Sequence, residues 1–407
     1  MKKLFLVFSI LTASITVMGQ QPIPVKPRIL ISTDIGGTDP DDNQSMAHFL
    51  MYSEMFETEG LVSSPSYGHG SKQNLLDMID LYEKDLPKLK KHIKGFPSPD
   101  ALRAICKQGR QGAAPFKGYT TATEGSDWII KCARKESTRP LWILVWGGLD
   151  DLAQALHDAP DIQNKIRVYW IGGPNKKWST NCLLYTSDAA NASYRGFITN
   201  DKQPGKFNKD YYDECIRGAG HLGKDYIKYY DGKVKMGDTP SLLYMMDGDP
   251  NNPQKESWGG SFEKFTHSPR VIFNRSTTLK DTVPVYAIIE FRIKGPEMNI
   301  PADSTCFTMT TDGQDWDGFY LGNGEYAVRY APKSTAVLTY KITSDIPGFP
   351  EQTGEFVVNN TWPGKIDADD YKLGDYWYTD RNDANLFEGK WQGSKTVSKW
   401  RKDVLQD

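Results

Sequence analysis

The stretch Arg28-Ile-Leu-Ile-Ser-Thr-Asp-Ile-Gly-Gly-Thr-Asp-Pro-Asp-Asp-Asn43 passes from an apolar run, through a glycine pair, into four aspartates placed between Asp34 and Asp42. Arg28 to Thr33 reads as a β-strand, and Ala47, Leu50 and Met51 beyond the acidic cluster carry an apolar stripe at helical spacing. The same alternation continues outward along the chain. Gly60 to Ser63, Leu141 to Trp146 and Arg167 to Ile171 read as further strands. Between them lie the helical stripes Leu75, Met78, Ile79, Tyr82 and Trp128, Ile129, Cys132, with a short helix from Asp150 to Leu156 after the third strand. Strand and helix in alternation imply βαβ units around a mostly parallel sheet with flanking helices, an α/β fold. Ligands of such sheets collect beyond the carboxyl ends of the strands, which is where the aspartates sit.

Four carboxylates crowded at a strand end repel one another strongly if the pocket is partly dry. A hard divalent cation relieves that repulsion, and an all-oxygen ligand set of carboxylates and backbone carbonyls is what calcium takes. A carboxylate beside the ion but not committed to it can accept a proton from a bound water. The competing reading is a solvated loop whose Asp merely caps the next helix.

After Phe265 the period changes to two. Val285, Ala287, Ile289, Phe291 and Ile293 alternate with Tyr286, Ile288, Glu290 and Arg292, and similar alternation recurs in Glu325 to Tyr330 and Ala336 to Thr343. Asp312-Gly313, Asp317-Gly318 and Asn323-Gly324 punctuate these runs as hairpin-turn signals. An all-β, immunoglobulin-like sandwich over residues 268–358 follows. The expected organisation is a leader over 1–20, an α/β domain over 21–267, the sandwich, and a segment over 359–407 that returns to the first domain. That last segment ends in an amphipathic run with Val397, Trp400 and Val404 at helical spacing and no stop signal, as in a chain cut short.

Composition excludes several classes. With 49 Lys+Arg against 51 Asp+Glu the chain has no broad basic field, so nucleic-acid binding driven by counterion release is not expected. Lys2, Lys3, the apolar stretch Leu4 to Val17 and the small Gly19 form a cleavable secretory signal, with a mature start near Gln20 and an exported, periplasmic or secreted product. No later run is apolar enough to span a membrane. Five scattered cysteines, none in a metal-ligand spacing, read mostly as buried apolar residues.

The acidic segment resembles the N-terminal signature of nucleoside hydrolases, D-x-D-P-G-x-D-D. More closely, it resembles a nucleoside hydrolase-like family of exported bacterial proteins, some described as cellulose-binding. That second resemblance extends through Gly60-Leu-Val-Ser-Ser, Leu81-Tyr-Glu-Lys-Asp-Leu-Pro-Lys-Leu, Arg139-Pro-Leu-Trp-Ile-Leu-Val-Trp-Gly-Gly-Leu and Gly237-Asp-Thr-Pro-Ser. It implies a nucleoside hydrolase-like sheet with Asp34 and Asp42 as calcium ligands, Asp41 as general base on the metal-bound water, the Trp146 carbonyl as a further ligand, and Asp238 as the distant carboxylate. The reaction it implies is attack of water on an anomeric carbon of a small sugar, nucleoside or glycan. The sandwich, through Phe291-Arg-Ile-Lys-Gly-Pro, Tyr326-Ala-Val-Arg-Tyr and Thr353-Gly-Glu-Phe-Val-Val, resembles the small β-domain that precedes the barrel of apiosidase-like glycoside hydrolases.

The chain departs from the hydrolase signature in two places. Ser32 replaces its first Asp and three extra residues precede the Asp pair, so Asp39 competes with Asp34 as a ligand. The loop that should offer an Asn to a ribose reads Ser63-Ser-Pro-Ser-Tyr-Gly-His-Gly70, leaving His69, Asn191 and Arg195 as candidate substrate contacts. Two functions from different classes follow: a calcium-dependent glycoside or N-glycoside hydrolase, and a non-catalytic carbohydrate-binding protein. Trp316, Trp362, Trp377 and Trp391 are candidate sugar-stacking surfaces in the second, or else fillers of a core or seam.

Overall fold

The structure is a computed structural model. It describes residues 25–182, 219–360 and 366–381, apart from breaks at 38, 66–68, 231–233 and 375, together with 383, 385, 400 and 404. The expected leader, Asn191 and Arg195 lie outside the described residues.

Strands β1 (Arg28–Thr33), β2 (Glu57–Ser63), β3 (Cys106–Gln108), β4 (Leu141–Val145) and β5 (Ile166–Trp170) form one parallel sheet in the order β3-β2-β1-β4-β5. The expected strands are present, with edges differing by up to three residues. Side chains of β1 alternate between two cores. Ile29 and Ile31 pack with Leu61, Trp142 and Leu144 beneath α1 (Asp41–Met51) and α2 (Lys72–His92), while Leu30 packs with Val62, Ile143 and Val145 beneath α4 (Glu124–Ala133) and α5 (Asp150–Asp158). Burial on both faces leaves β1 no solvated side, so even its polar residues Arg28, Ser32 and Thr33 are enclosed. Helix α3 (Pro99–Ala104) precedes β3, and a short α6 (Gly172–Asn175) follows β5. Met51, expected on the buried stripe of α1, is the last residue of the helix and is exposed.

The chain builds outward from β1 in both directions, through β2 to β3 on one side and through β4 to β5 on the other. The crevice between the carboxyl ends of β1 and β4 is therefore the switch point of the sheet, where no connecting helix covers the strand ends. Helices α7 (Gly220–Tyr226) and α8 (Thr239–Asp247) close the same side, with Leu222, Tyr226, Leu242 and Leu243 joining the core under α1 and α2.

A second, mostly antiparallel sheet has the order β8-β10-β13-β12-β11-β14-β15-β9. Its strands are β8 (Arg270–Phe273), β9 (Thr282–Pro284), β10 (Ile288–Lys294), β11 (Ser304–Thr311), β12 (Gln314–Gly322), β13 (Glu325–Tyr330), β14 (Ala336–Thr343) and β15 (Gln352–Asn360). Phe291 of β10 lies 4.6 Å from Tyr340 of β14 and 6.1 Å from Phe356 of β15, ring centre to ring centre. Three strands separate β10 from β14 in the sheet order, so these contacts require the sheet to curl over on itself as a sandwich. Asp312-Gly313 and Asn323-Gly324 are turns in which both residues take positive φ, as type I′ hairpins demand. Asp317-Gly318, expected as a turn, lies inside β12. Gly318 is there because any side chain at that position would overlap the Phe307 ring on the neighbouring strand.

The two units share a seam. Tyr371–Lys372 (β16) pairs with His267–Ser268 (β7), and Tyr378–Asp380 (β17) pairs with Phe262–Lys264 (β6). Trp377 is buried in the α/β core with Leu373 and Ile288, and Trp400 and Val404 pack against the core under α1 and α2. Trp316 stacks on Trp178 at 5.0 Å, with Lys177 against both rings, so it fills the seam instead of presenting an open face. Trp362 and Trp391 lie outside the described residues. Cys106, Cys132 and Cys182 are buried and Cys306 is half-buried.

The seam also explains why β10 breaks its expected alternation. Ile288 and Glu290, of the set that alternates with Ile289 and Phe291, are buried as well. Glu290 accepts from Arg270 Nη2 (2.9 Å), Arg292 Nε (2.7 Å) and Arg329 Nε (2.9 Å), and Arg329 also donates to the Phe116 carbonyl of the α/β unit. Burial alone would raise the Glu290 carboxyl, but the charges of Arg329, Arg292 and Arg270 outweigh it and hold the carboxyl down at about 2. Removing this carboxylate leaves the buried Arg329 guanidinium uncompensated, so Glu290→Ala should cost about 3 kcal/mol in urea unfolding at pH 7. Because folding depresses this pKa, the contribution is complete above the unfolded value near 4.5 and is lost as pH falls toward 2. The gap between variant and wild type should shrink accordingly across that window; a gap independent of pH would sink the assignment.

Candidate metal centre

Asp34 follows β1 directly, and Asp41 and Asp42 occupy the first turn of α1, where negative charge meets the positive end of the helix. Asp238 arrives from far along the chain, immediately before α8. Oxygen atoms of Asp41, Asp42 and Asp238 lie within 4.8 Å of one another. Gly237 permits this approach, since a side chain there would overlap the Asp41 carboxylate. Asp34 lies against the loop after β4: a Cβ on Gly147 would come within 2.6 Å of its carboxyl carbon.

The competing reading, that these aspartates cap helices, fails on geometry. The residue capping α1 is Pro40, with no side-chain cap. Asp238 does occupy the cap position of α8, yet its side chain makes no capping hydrogen bond, and its Oδ2 is buried without a hydrogen-bond partner among the described residues. A buried carboxylate oxygen left unpaired costs far more than a solvated one, so its position needs a compensating ligand. Asp42 is 2% exposed and accepts from Thr33 Oγ1, which in turn accepts from the Ile35 amide.

Electrostatics agree. Burial raises Asp34 to about 6 and Asp41 to about 7. Burial and the neighbouring carboxylates push Asp42 and Asp238 well above the ordinary range. Lys235 opposes this for Asp41, its Nζ lying 3.2 Å from Asp41 Oδ2. Carboxyls raised in this way are carboxyls short of positive charge, and a hard divalent cation with oxygen ligands would supply it. The donor set therefore fits such an ion.

The family model described as "Cellulose-binding Sde182, nucleoside hydrolase-like domain" matches residues 28–262, more than half of the chain. The chain belongs to this family. A second model, a domain of unknown function named DUF5060, matches residues 282–345 in the sandwich. Among solved structures, a nucleoside hydrolase-related protein of Saccharophagus degradans that is associated with carbohydrate metabolism is 18% identical, with a TM-score of 0.50. The match covers 83% of this chain and all of that one, and it bears on the fold alone. An inosine-uridine preferring nucleoside hydrolase of Bacillus anthracis is 17% identical over 60% of this chain and 86% of its own, with a TM-score of 0.37. None of the curated proteins matches.

Within this Sde182-like fold, the sequence-derived residues divide as follows. Asp41, Asp42 and Asp238 are together, and Asp34 flanks them. Asp39, the rival of Asp34, is exposed and turned to Tyr230 and Lys235, both of which donate to its carboxylate. The Trp146 carbonyl accepts from Asn175 Nδ2 at 2.7 Å, which leaves one lone pair, and its indole donates to Ser241 beneath α8. His69 is exposed in the loop after β2; its neighbour Gly70 packs so closely on the Ile35 carbonyl that a side chain there would collide. That places His69 beside the acidic turn but not in the trio. Lys235, Tyr230 and Thr33 were not singled out from sequence. Only the spacing of Lys235, three residues before Asp238, could have drawn attention to it.

Proposed function

We propose that this chain is an exported, calcium-dependent hydrolase of glycosyl bonds, acting on a glycoside or an N-glycoside. The observation that supports it is the buried trio of Asp41, Asp42 and Asp238 with an unpaired Asp238 oxygen at the switch point of the sheet. Asp34, Asp42 and Asp238, with the free lone pair of the Trp146 carbonyl, would hold the ion. When bound, calcium would supply charge stabilisation for a water nucleophile and for sugar hydroxyls. Asp41 takes the proton of the attacking water. Its side chain is the more exposed member of the trio, and an acidity near 7 suits a general base at neutral pH. The water oxygen forms the new bond to the anomeric carbon as the bond to the leaving group breaks, and His69, Asn191 and Arg195 are the candidate contacts to sugar and leaving group.

Sugar release from a panel of nucleosides and plant-type glycans tests this, with and without chelator. Release that chelation abolishes and calcium restores supports the hydrolase. Retention on immobilised glycan with no release from any member favours the second reading, a carbohydrate-binding protein. The description of its family as cellulose-binding supports that reading. For export, N-terminal sequencing of the protein recovered from the periplasm or medium should give a start near Gln20.

A further inference from the structure

Lys235 is held beside the acidic trio by a dedicated set of contacts. Gln44, fully buried on α1, accepts from the Lys235 amide (2.8 Å) and from the Met236 amide (3.0 Å) through one oxygen. Tyr230 and Met236 both take positive φ, a conformation that persists for such side chains only where surrounding contacts enforce it. The ammonium is thereby placed between two carboxylates, pairing with Asp39 and lying 3.2 Å from Asp41 Oδ2, with the Tyr230 ring 5.3 Å away. Lys235 pairs with Asp39 and Asp41 and leaves Asp238 Oδ2 buried with no hydrogen-bond partner among the described residues.

We propose that Lys235 is a resident counter-cation of the acidic site, held at its edge on Asp39 and Asp41, whose charge opposes that of an incoming divalent ion and so sets the affinity of the site. This rests on the metal reading above. Its ammonium neutralises Asp41 and Asp39 when no ion is bound. When an ion enters, Lys235 opposes it by charge repulsion, and Asp39, exposed and outside the trio, gives the ammonium a second carboxylate on which to remain. The site therefore holds its ion less tightly than its count of carboxylates would suggest, an arrangement suited to a calcium-rich exterior.

The test is calorimetric titration of calcium chloride into the full-length chain and its Lys235→Met and Lys235→Gln variants at fixed pH and ionic strength. Loss of a unit charge a few ångströms from the ion should tighten calcium binding by roughly tenfold or more, while Lys235→Arg stays near wild type. The calcium-induced rise in melting temperature should be larger in Lys235→Met than in wild type, a readout that holds even if the calcium-free variant is unstable. Affinity that is unchanged or weaker in both neutral variants, with wild type binding calcium, overturns the counter-cation. Absence of calcium binding in wild type and variants alike overturns the metal reading itself.

Discussion

Asp238→Asn is expected to make the calcium-free protein more stable and to destroy its calcium site. The side chain is buried, one of its oxygens has no partner, and its neighbours are carboxylates. An amide of the same shape removes the source of repulsion, and the gain is about 1.4 kcal/mol for each pKa unit by which folding raises the carboxyl, up to the working pH. The gain should grow with pH. Folding raises the Asp238 carboxyl far above its ordinary value, so the folded wild type must keep a proton that the unfolded chain has already released. Stability lost in this way is negligible below pH 4 and increases above it, and the amide avoids it. The same substitution deletes an oxygen ligand with its charge, so calcium affinity should fall by at least about a hundredfold, beyond what is typical of disturbing an outer partner of a metal site. Melting curves at pH 5 and pH 8, with and without calcium, measure both effects. A variant that is less stable without calcium, or that keeps its calcium-induced stabilisation, contradicts the site as described.

Asp41→Asn should separate chemistry from binding. Asp41 is the more exposed member of the trio and shares its carboxylate with Lys235, so it is the least committed to an ion. Losing a general base typically lowers turnover by about 10²–10⁴-fold. Calcium binding should change far less than in Asp238→Asn, because Asp34, Asp42 and Asp238 remain. Sugar release and calorimetry on the same preparation give the answer. Retained turnover removes Asp41 from the role of base, and calcium loss equal to that of Asp238→Asn makes it a ligand instead.

Much of the architecture was legible in short windows of sequence. RILIST announced a strand, and the unbroken apolar run Leu141 to Val145 announced one buried on both faces, because a central parallel strand has no solvated side to record in polar residues. The switch to a period of two after Phe265 announced the second unit. Local windows failed where a remote segment decided the environment. Glu290 looks like a solvated strand residue until three arginines and the α/β unit close over it. Asp317-Gly318 reads as a turn, but the Phe307 ring explains the glycine.

The acidic turn shows the same division. Crowding of Asp34, Asp39, Asp41 and Asp42 was visible in sequence, as was the conflict of charge it creates. Which of them face inward was not. A turn of several residues can direct its side chains in many ways, and only the loop carrying Tyr230 and Lys235 draws Asp39 outward, while Gly237 lets Asp238 meet Asp41 and Asp42. The sequence by itself determined the periodicities, and so the two kinds of sheet, along with the local excess of carboxylates, because these depend on neighbours within a few residues. The tertiary structure alone decided which carboxylates share a pocket and which cation stands beside them. Those contacts join loops almost two hundred residues apart, and the packing of whole strands and helices sets their distance.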